Sequence, residues 1–124
     1  MTEFTVHVAN RPGMLALIAE QLASAGINIE ALAAYGIGET GEMRMMVDDA
    51  LTTRAVLGRA GLNFEERDVL VTTISHRPGA MATMARRLAD AGVNIEAIYL
   101  LHASAEGLEF AVAVDEVERA RERL

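Results

Sequence analysis

The sequence lacks several side chains on which common catalytic sites depend. It contains no Cys and no Trp, and all eleven of its basic residues are Arg, because Lys is also absent. Without Cys there is no disulfide, no thiolate metal site and no cysteine nucleophile. Without Lys there is neither a Schiff base nor the lysine of a phosphate-binding P-loop. We therefore expect no catalytic residue, no cofactor and no metal site.

Several classes of partner are disfavoured by the same composition. The three histidines, His7, His76 and His102, lack the spacing of a zinc site. A net charge of −7 opposes binding to nucleic acid, and three Phe and two Tyr offer few rings for stacking on bases. No apolar run approaches the roughly 18 residues of a membrane span, and no secretory leader opens the chain. We expect a cytoplasmic protein with no nucleic-acid or membrane partner.

What the sequence does contain is an internal repeat. Residues 11–32 and 77–98 are identical at 13 of 22 positions, at a constant offset of 66. The length of 124 residues and the apolar fraction of 52% allow one ordinary domain or two very small ones. The repeat favours the second possibility, with domains at 1–67 and 68–124.

Both repeats predict the same order of elements. A β-branched strand is followed by Arg-Pro-Gly, whose proline suits the first turn of a helix, and then by apolar residues at helical spacing. Gly26 and Gly92 stand where a left-handed residue would close each helix. Asp48 and Asp115 are plausible N-caps of a second helix. The predicted elements are strands at 3–9 and 69–75, second strands from Asn28 and Asn94, third strands at 42–47 and 108–114, helices at about 50–59 and 116–124, and a closing strand at 63–66.

This order corresponds to an α+β fold of two ferredoxin-like βαββαβ units in tandem. Each unit would have an antiparallel sheet with its helices on one face. The second repeat ends before its last strand, and the sequence leaves open whether that strand is absent or supplied by another segment.

The turn from the first strand into the first helix is the strongest candidate for a binding site. It reads Asn10-Arg11-Pro12-Gly13 in one repeat and His76-Arg77-Pro78-Gly79 in the other. The amino end of a helix attracts a carboxylate, and glycine lets a ligand approach the backbone. The amides of Asn28 and Asn94 could bind both charged groups of an amino acid. If these elements converge they would form a zwitterion site, although each is also ordinary turn chemistry.

The pattern RPG-x(12)-G-[IV]-N-I-E resembles the ACT domain, a small ligand-binding module of amino-acid metabolism. The segment NRPGML with GINI is similar to the regulatory domain of phosphoglycerate dehydrogenase, and GINIEAL is similar to the regulatory subunit of acetolactate synthase. The resemblance covers practically the whole chain as two ACT units without a catalytic domain.

The resemblance implies how a ligand would be held. ACT domains pair side by side through the second strand and the first helix, and an effector amino acid binds at that interface. The first loop of one domain and the second strand of its neighbour contribute the contacts, so a homodimer is expected. The residues implicated by position are Asn10, Arg11, Gly13, Met14, Leu15, Asn28 and Ile29, with His76, Arg77, Gly79, Ala80, Met81, Asn94 and Ile95 in the second repeat.

Two other functions remain open at this stage. The chain could act mainly by docking to a biosynthetic enzyme such as an acetolactate synthase. More remotely, an acylphosphatase-like hydrolase of the same topology could use Arg11 and Asn28 on a phosphate. Against that alternative, Pro12 removes a backbone donor from the loop and no general base is apparent.

Overall fold

The computed structural model describes residues 1–124. Its strands and helices follow one another in the order that the repeats predict. The chain divides into two compact units, one spanning Thr2–Arg67 and the other joining Asp68–Leu124 with Met1. In chain order the elements are β1 (Thr2–Ala9), α1 (Met14–Ser24), β2 (Ile29–Ile37), β3 (Thr40–Val47), α2 (Ala50–Arg59), β4 (Asn63–Asp68), β5 (Leu70–Ile74), α3 (Ala80–Asp90), β6 (Ile95–Ser104), β7 (Gly107–Val114) and α4 (Val117–Arg121).

The first unit contains a complete four-stranded sheet in the order β2-β3-β1-β4. Alternate residues of β1, Phe4 and Val6, pair in antiparallel register with Met45 and Met43 of β3. These four side chains belong to the same buried cluster as residues of α1 and α2, so both helices cover one face of the sheet. The cluster is completed by Ile18, Leu22, Ile27, Val56 and Leu57.

The second unit contains a three-stranded sheet in the order β5-β7-β6, which no strand from another segment joins. Leu70 of β5 pairs with Val112 of β7, and both side chains are buried. Met84 and Leu88 of α3 pack on them from the helix-covered face. The edge of β5 opposite β7 has no neighbouring strand in this sheet.

The predicted glycine closures of the first helices are confirmed in both repeats. Gly26 and Gly92 each have φ of 74°, in the left-handed region that favours glycine. Just beyond Gly26, the amide of Ile27 donates to the carbonyl of Leu22 at 3.0 Å, which closes the last turn of α1.

The predicted helix starts need three corrections. Pro12 does not lie in the first turn of α1, because the helix begins at Met14 with Gly13 as N-cap. Asp48 is not the N-cap of α2; the next residue, Asp49, accepts the amide of Thr52 at 3.0 Å. The side-chain and backbone hydrogen bonds from Thr52 lower the pKa of Asp49.

Asp115 is also not an N-cap, because α4 follows Glu116 and has no side-chain cap. The helix is shorter than the predicted 116–124, ending at Arg121. No helix of either unit is long and apolar enough to cross a membrane.

Candidate functional site

Asn10 ties the first loop to the turn between β2 and β3. Its side-chain amide donates to the carbonyl of Gly38 at 3.0 Å, and its backbone amide donates to the carbonyl of Glu39 at 2.9 Å. The side chain also lies against Gly36, where a Cβ atom would overlap it. These contacts fix the orientation of the Asn10 side chain against the turn.

The backbone conformation at Gly13 and Gly79 requires glycine, whereas the space around them would admit a side chain. Their φ angles are 90° and 88°, and a Cβ atom at either position would meet no atom within 4 Å. Neither glycine supplies a side-chain cap, so no side chain accepts the first amides of α1 or α3. The amino ends of both helices can therefore donate to an anion that approaches over the glycine.

The first loop and the start of α1 line a small cavity of about 210 Å³ with β2 and β3. Four of the predicted residues meet there, namely Asn10, Arg11, Met14 and Leu15. The guanidinium Nε of Arg11 lies 3.4 Å from the sulfur of Met14. Tyr35 closes the cavity from β2.

Asn28 and Ile29 lie at the other end of the same sheet. The amide of Asn28 donates to the Oδ1 of Asp48 at 3.0 Å, and Ile29 pairs with Val47 at the end of β3. Asn10, by contrast, lies beside the turn that follows Ile37. The length of β2 separates the two ends by about 25 Å. A single unit therefore does not bring Asn10 and Asn28 together.

The second unit repeats this arrangement. The amide of Asn94 donates to the Oδ1 of Asp115 at 2.8 Å, and Ile95 pairs with Val114 at the end of β7. The loop that carries His76 follows β5 at the opposite end of the sheet. Of the residues predicted there, Arg77, Gly79 and Ala80 line a cavity of about 400 Å³, whereas His76 and Met81 lie outside it.

Both units expose apolar side chains on the first helix and second strand. In the first unit Leu15 of α1 is 44% exposed and Leu32 of β2 is 38% exposed. In the second unit Met81 of α3, the counterpart of Leu15, is exposed, and so is Leu100 of β6. Leu32 pairs with the core residue Met45, so it lies on the helix-covered face beside α1.

Sequence reasoning missed a row of charged side chains across the open face of the first sheet. Arg44 Nη1 lies 2.9 Å from Glu3 Oε1, and the Glu3 side chain is fully buried. His7 places Nε2 at 2.9 Å from Glu65 and Nδ1 at 3.9 Å from Glu42. Tyr35 donates to Glu42 as well.

The missed signal was the register between β1 and β3. Strand alternation places Glu3 and His7 on one face of β1, but only the pairing of His7 with Glu42 shows which charges meet.

Comparison with known proteins identifies the family. The family model of ACT domain pairs matches residues 1–124. The chain belongs to this family. Among solved structures, a Bacteroides thetaiotaomicron protein shares the fold of this ACT domain pair with a TM-score of 0.89 at 24% identity, covering 99% of this chain and 85% of the other. No curated protein matches the chain.

Two further structures share the fold at greater distance. The ligand-free regulatory subunit of aspartate kinase from Thermus thermophilus has a TM-score of 0.73 at 22% identity, covering 99% of this chain and 87% of the other. The Thermus flavus subunit has a TM-score of 0.70 at 20% identity, with coverages of 98% and 88%. Together with the family match, these structures confirm the predicted tandem of ferredoxin-like ACT units, which is a regulatory module.

Proposed function

We propose that this ACT domain pair is a non-catalytic sensor that binds an amino acid between two ACT units and so regulates amino-acid metabolism. The observation that carries the proposal is the separation of Asn10 and Asn28 at opposite ends of one sheet. When two units pair with their second strands antiparallel, the first loop of one unit faces the Asn28 end of the other. Each unit then contributes half of a site.

The chemistry of the two halves suits a zwitterion. The uncapped amino end of α1 or α3 would hold the carboxylate over Gly13 or Gly79. The amide oxygen of Asn28 or Asn94 would accept from the ammonium group. The proposed ligand-binding residues are those named from the sequence: Asn10, Arg11, Gly13, Met14, Leu15, Asn28 and Ile29, with His76, Arg77, Gly79, Ala80, Met81, Asn94 and Ile95.

The exposed apolar side chains support pairing between copies of the chain. Leu15 and Leu32 lie on the helix and strand that would meet in a side-by-side arrangement. Burial of apolar surface is the main favourable term in such an association. We propose that the chain forms a homodimer through this surface.

Calorimetry against the twenty amino acids tests the proposal. We expect saturable heat from at least one of them, and a loss of affinity of about tenfold or more in Asn28→Ala or Asn94→Ala, since a hydrogen bond to a charged group is removed. Asn63→Ala is the matched control, because Asn63 lies on β4 outside the proposed residues. A folded dimer that gives no heat with any amino acid would contradict the proposal.

A second candidate function is docking to a biosynthetic enzyme. Its support is that the Thermus relatives of the same fold are regulatory subunits of aspartate kinase. Affinity capture from extract should then enrich one large biosynthetic enzyme, and the enriched enzyme should change activity when the purified chain is added. Capture without a change in activity would count against docking as the function.

The acylphosphatase alternative has no support in the arrangement of the site. Arg11 lies in the loop after β1, and Asn28 lies at the opposite end of the sheet. The two side chains therefore cannot contact one phosphate within a unit.

A further inference from the structure

The open face of the first sheet carries a cavity at the end where β2 turns into β3. The cavity measures about 580 Å³ and is lined by residues of the first unit alone. His7 of β1, Tyr35 of β2 and Glu42 of β3 form its polar part, and Ile37 and Thr40 lie beside the turn. A cavity of this size accommodates a small metabolite.

The register of the strands separates this cavity from the proposed amino-acid site. His7 and Tyr35 pair with Glu42 from its two sides. The adjacent residues Val6 and Met43 belong to the core under the helices, so the three polar side chains point away from the helices. Tyr35 and Glu42 also border the smaller cavity beside the first loop. None of the three is among the residues proposed for the amino acid.

Two hydrogen-bond acceptors of this cavity have no donor. His7 Nε2 lies 2.9 Å from Glu65 Oε1, and because a carboxylate only accepts, Nε2 carries the hydrogen. In the neutral imidazole Nδ1 is then an acceptor. Tyr35 donates to Oε2 of Glu42, and Arg44 Nε lies 3.6 Å from the same oxygen. Oε1 of Glu42 therefore accepts no hydrogen bond.

The two free acceptors lie close together. His7 Nδ1 is 3.9 Å from Glu42 Oε1, which is too far for a hydrogen bond between them. A group with two N–H donors fits between them at about 2.9 Å from each acceptor. Since Glu42 is charged, a cationic donor would bind there more strongly than a neutral one.

No cationic side chain of the unit fills this gap. The sequence contains no Lys, and no Arg lines the cavity. Arg44 is held by the fully buried Glu3 at 2.9 Å. A cationic donor between His7 and Glu42 therefore has to come from outside the unit.

The remaining wall of the cavity is apolar and exposed. Ile37 is 74% exposed and Tyr35 is 52% exposed, although both have large apolar surfaces. A ligand with an apolar body would cover them. A carboxylate on the same ligand would find no cation in the lining and would be repelled by Glu42.

We propose that this cavity binds a primary amine with an apolar body, such as the decarboxylated counterpart of an apolar amino acid. Its ammonium group would donate to His7 Nδ1 and Glu42 Oε1, and its body would lie on Tyr35 and Ile37. The site lies within one unit and takes no amino acid. This proposal and that of the amino-acid site therefore fail or succeed separately.

Nuclear magnetic resonance of the full chain tests the amine site. Phenethylamine and isopentylamine are titrated separately at about pH 8, where free imidazole is neutral and a primary amine is charged. We expect saturable shifts of the Thr40 amide and the Ile37 methyl signals with at least one amine. Phenylalanine differs from phenethylamine by its carboxylate and should bind there about tenfold more weakly or not at all.

Two glutamates of the same hairpin provide the matched comparison. Glu42→Gln removes the charged acceptor and should weaken amine binding by about tenfold or more. Glu39→Gln makes the same charge change in the exposed turn and should change the affinity less than twofold. His7→Thr gives a second variant at the site, because Thr73 pairs with Glu109 in the same way in the second sheet. It removes the Nδ1 acceptor and should also weaken binding.

Three outcomes would overturn the proposal. They are shifts that saturate with neither amine, equal weakening by Glu42→Gln and Glu39→Gln, and phenylalanine binding as tightly as phenethylamine. Nα-acetyl-lysine amide presents the same ammonium group as a protein side chain does. If it bound more tightly than either amine, the assignment to a free amine would be wrong.

Discussion

The two units share one plan but differ where the chain could add a fourth strand. The first unit closes its sheet with β4, and Phe64 fills the space above Phe4. In the sheet of the second unit, the edge of β5 opposite β7 has no neighbouring strand. The comparison teaches that the glycine-bounded loop and helix are alike in the two units, whereas the packing at this sheet edge differs.

The open faces of the two sheets differ as well. In the first unit the buried Glu3 forms an ion pair with Arg44 at 2.9 Å. The equivalent positions of the second unit are Val69 and Ala111, both buried and apolar. One repeat therefore uses an ion pair where the other uses apolar packing, which allows the two solutions to be compared in one chain.

The largest effect is expected when this ion pair is broken. Arg44→Ala leaves the carboxylate of Glu3 buried without its guanidinium partner and should lower the free energy of unfolding by about 3 kcal/mol. The double substitution Glu3→Val with Arg44→Ala copies the second repeat and should recover at least half of that loss. Urea unfolding measures both variants. A double variant less stable than Arg44→Ala would show that the two repeats are not interchangeable at these positions.

A smaller loss of stability is expected when the packing of β4 on the first core is weakened. Phe64→Ala removes a half-buried ring from the core and should lower the free energy of unfolding by about 2 kcal/mol. Urea unfolding measures this change. A free energy of unfolding equal to that of the unsubstituted chain would show that Phe64 adds nothing to the stability of the first core.

The loop glycines should respond alike in both units. Gly13→Ala and Gly79→Ala force an alanine to a φ near 90°, and each should cost about 1–2 kcal/mol of stability. Gly58→Ala is the control, because this glycine lies inside α2 and a Cβ atom there meets no neighbour within 4 Å. It should raise the thermal midpoint, since alanine is the better helix former. Unequal losses at the two loops would indicate different backbone constraints.

The smallest effect on stability is expected from protonation of Glu66, which lies on β4 of the first unit. The hydrogen bonds of Arg54 with Glu66, both at 2.6 Å, lower the pKa of Glu66 below its usual value of 4.5. A carboxylate with a lowered pKa stabilises the folded state at pH values above its unfolded pKa, and this stabilisation is lost as the pH falls through the folded pKa. Glu66→Gln should therefore reduce stability at pH 7 and change it least near pH 3.

Urea unfolding at the two pH values measures this effect. Glu20→Gln is the control, because Glu20 is exposed on α1 and its carboxylate forms no ion pair. An equal loss for Glu66→Gln at both pH values would exclude a contribution from its ionised carboxylate.

Much of the fold could be predicted because the same pattern of glycines and apolar residues occurs in both repeats. Gly26 and Gly92 mark the helix ends independently of packing, and the alternation around Phe4 and Val6 marks the buried face. Helix starts were less certain, since Asp48 and Asp49 are adjacent and either could cap α2 by composition alone. The structure distinguishes them because Asp48 is engaged by the amide of Asn28.

The candidate sites depended on geometry that local sequence does not contain. Asn10 and Asn28 belong to one motif, yet their placement at opposite ends of β2 follows from strand direction and hairpin register.

A crystal structure of the chain with an amino acid selected by calorimetry tests the central claim most directly. The account predicts density for the ligand beside Gly13 or Gly79, with the amide of Asn28 or Asn94 from a second ACT unit on its other side. A bound amino acid that contacts the loop, helix and strand of one unit alone would contradict it.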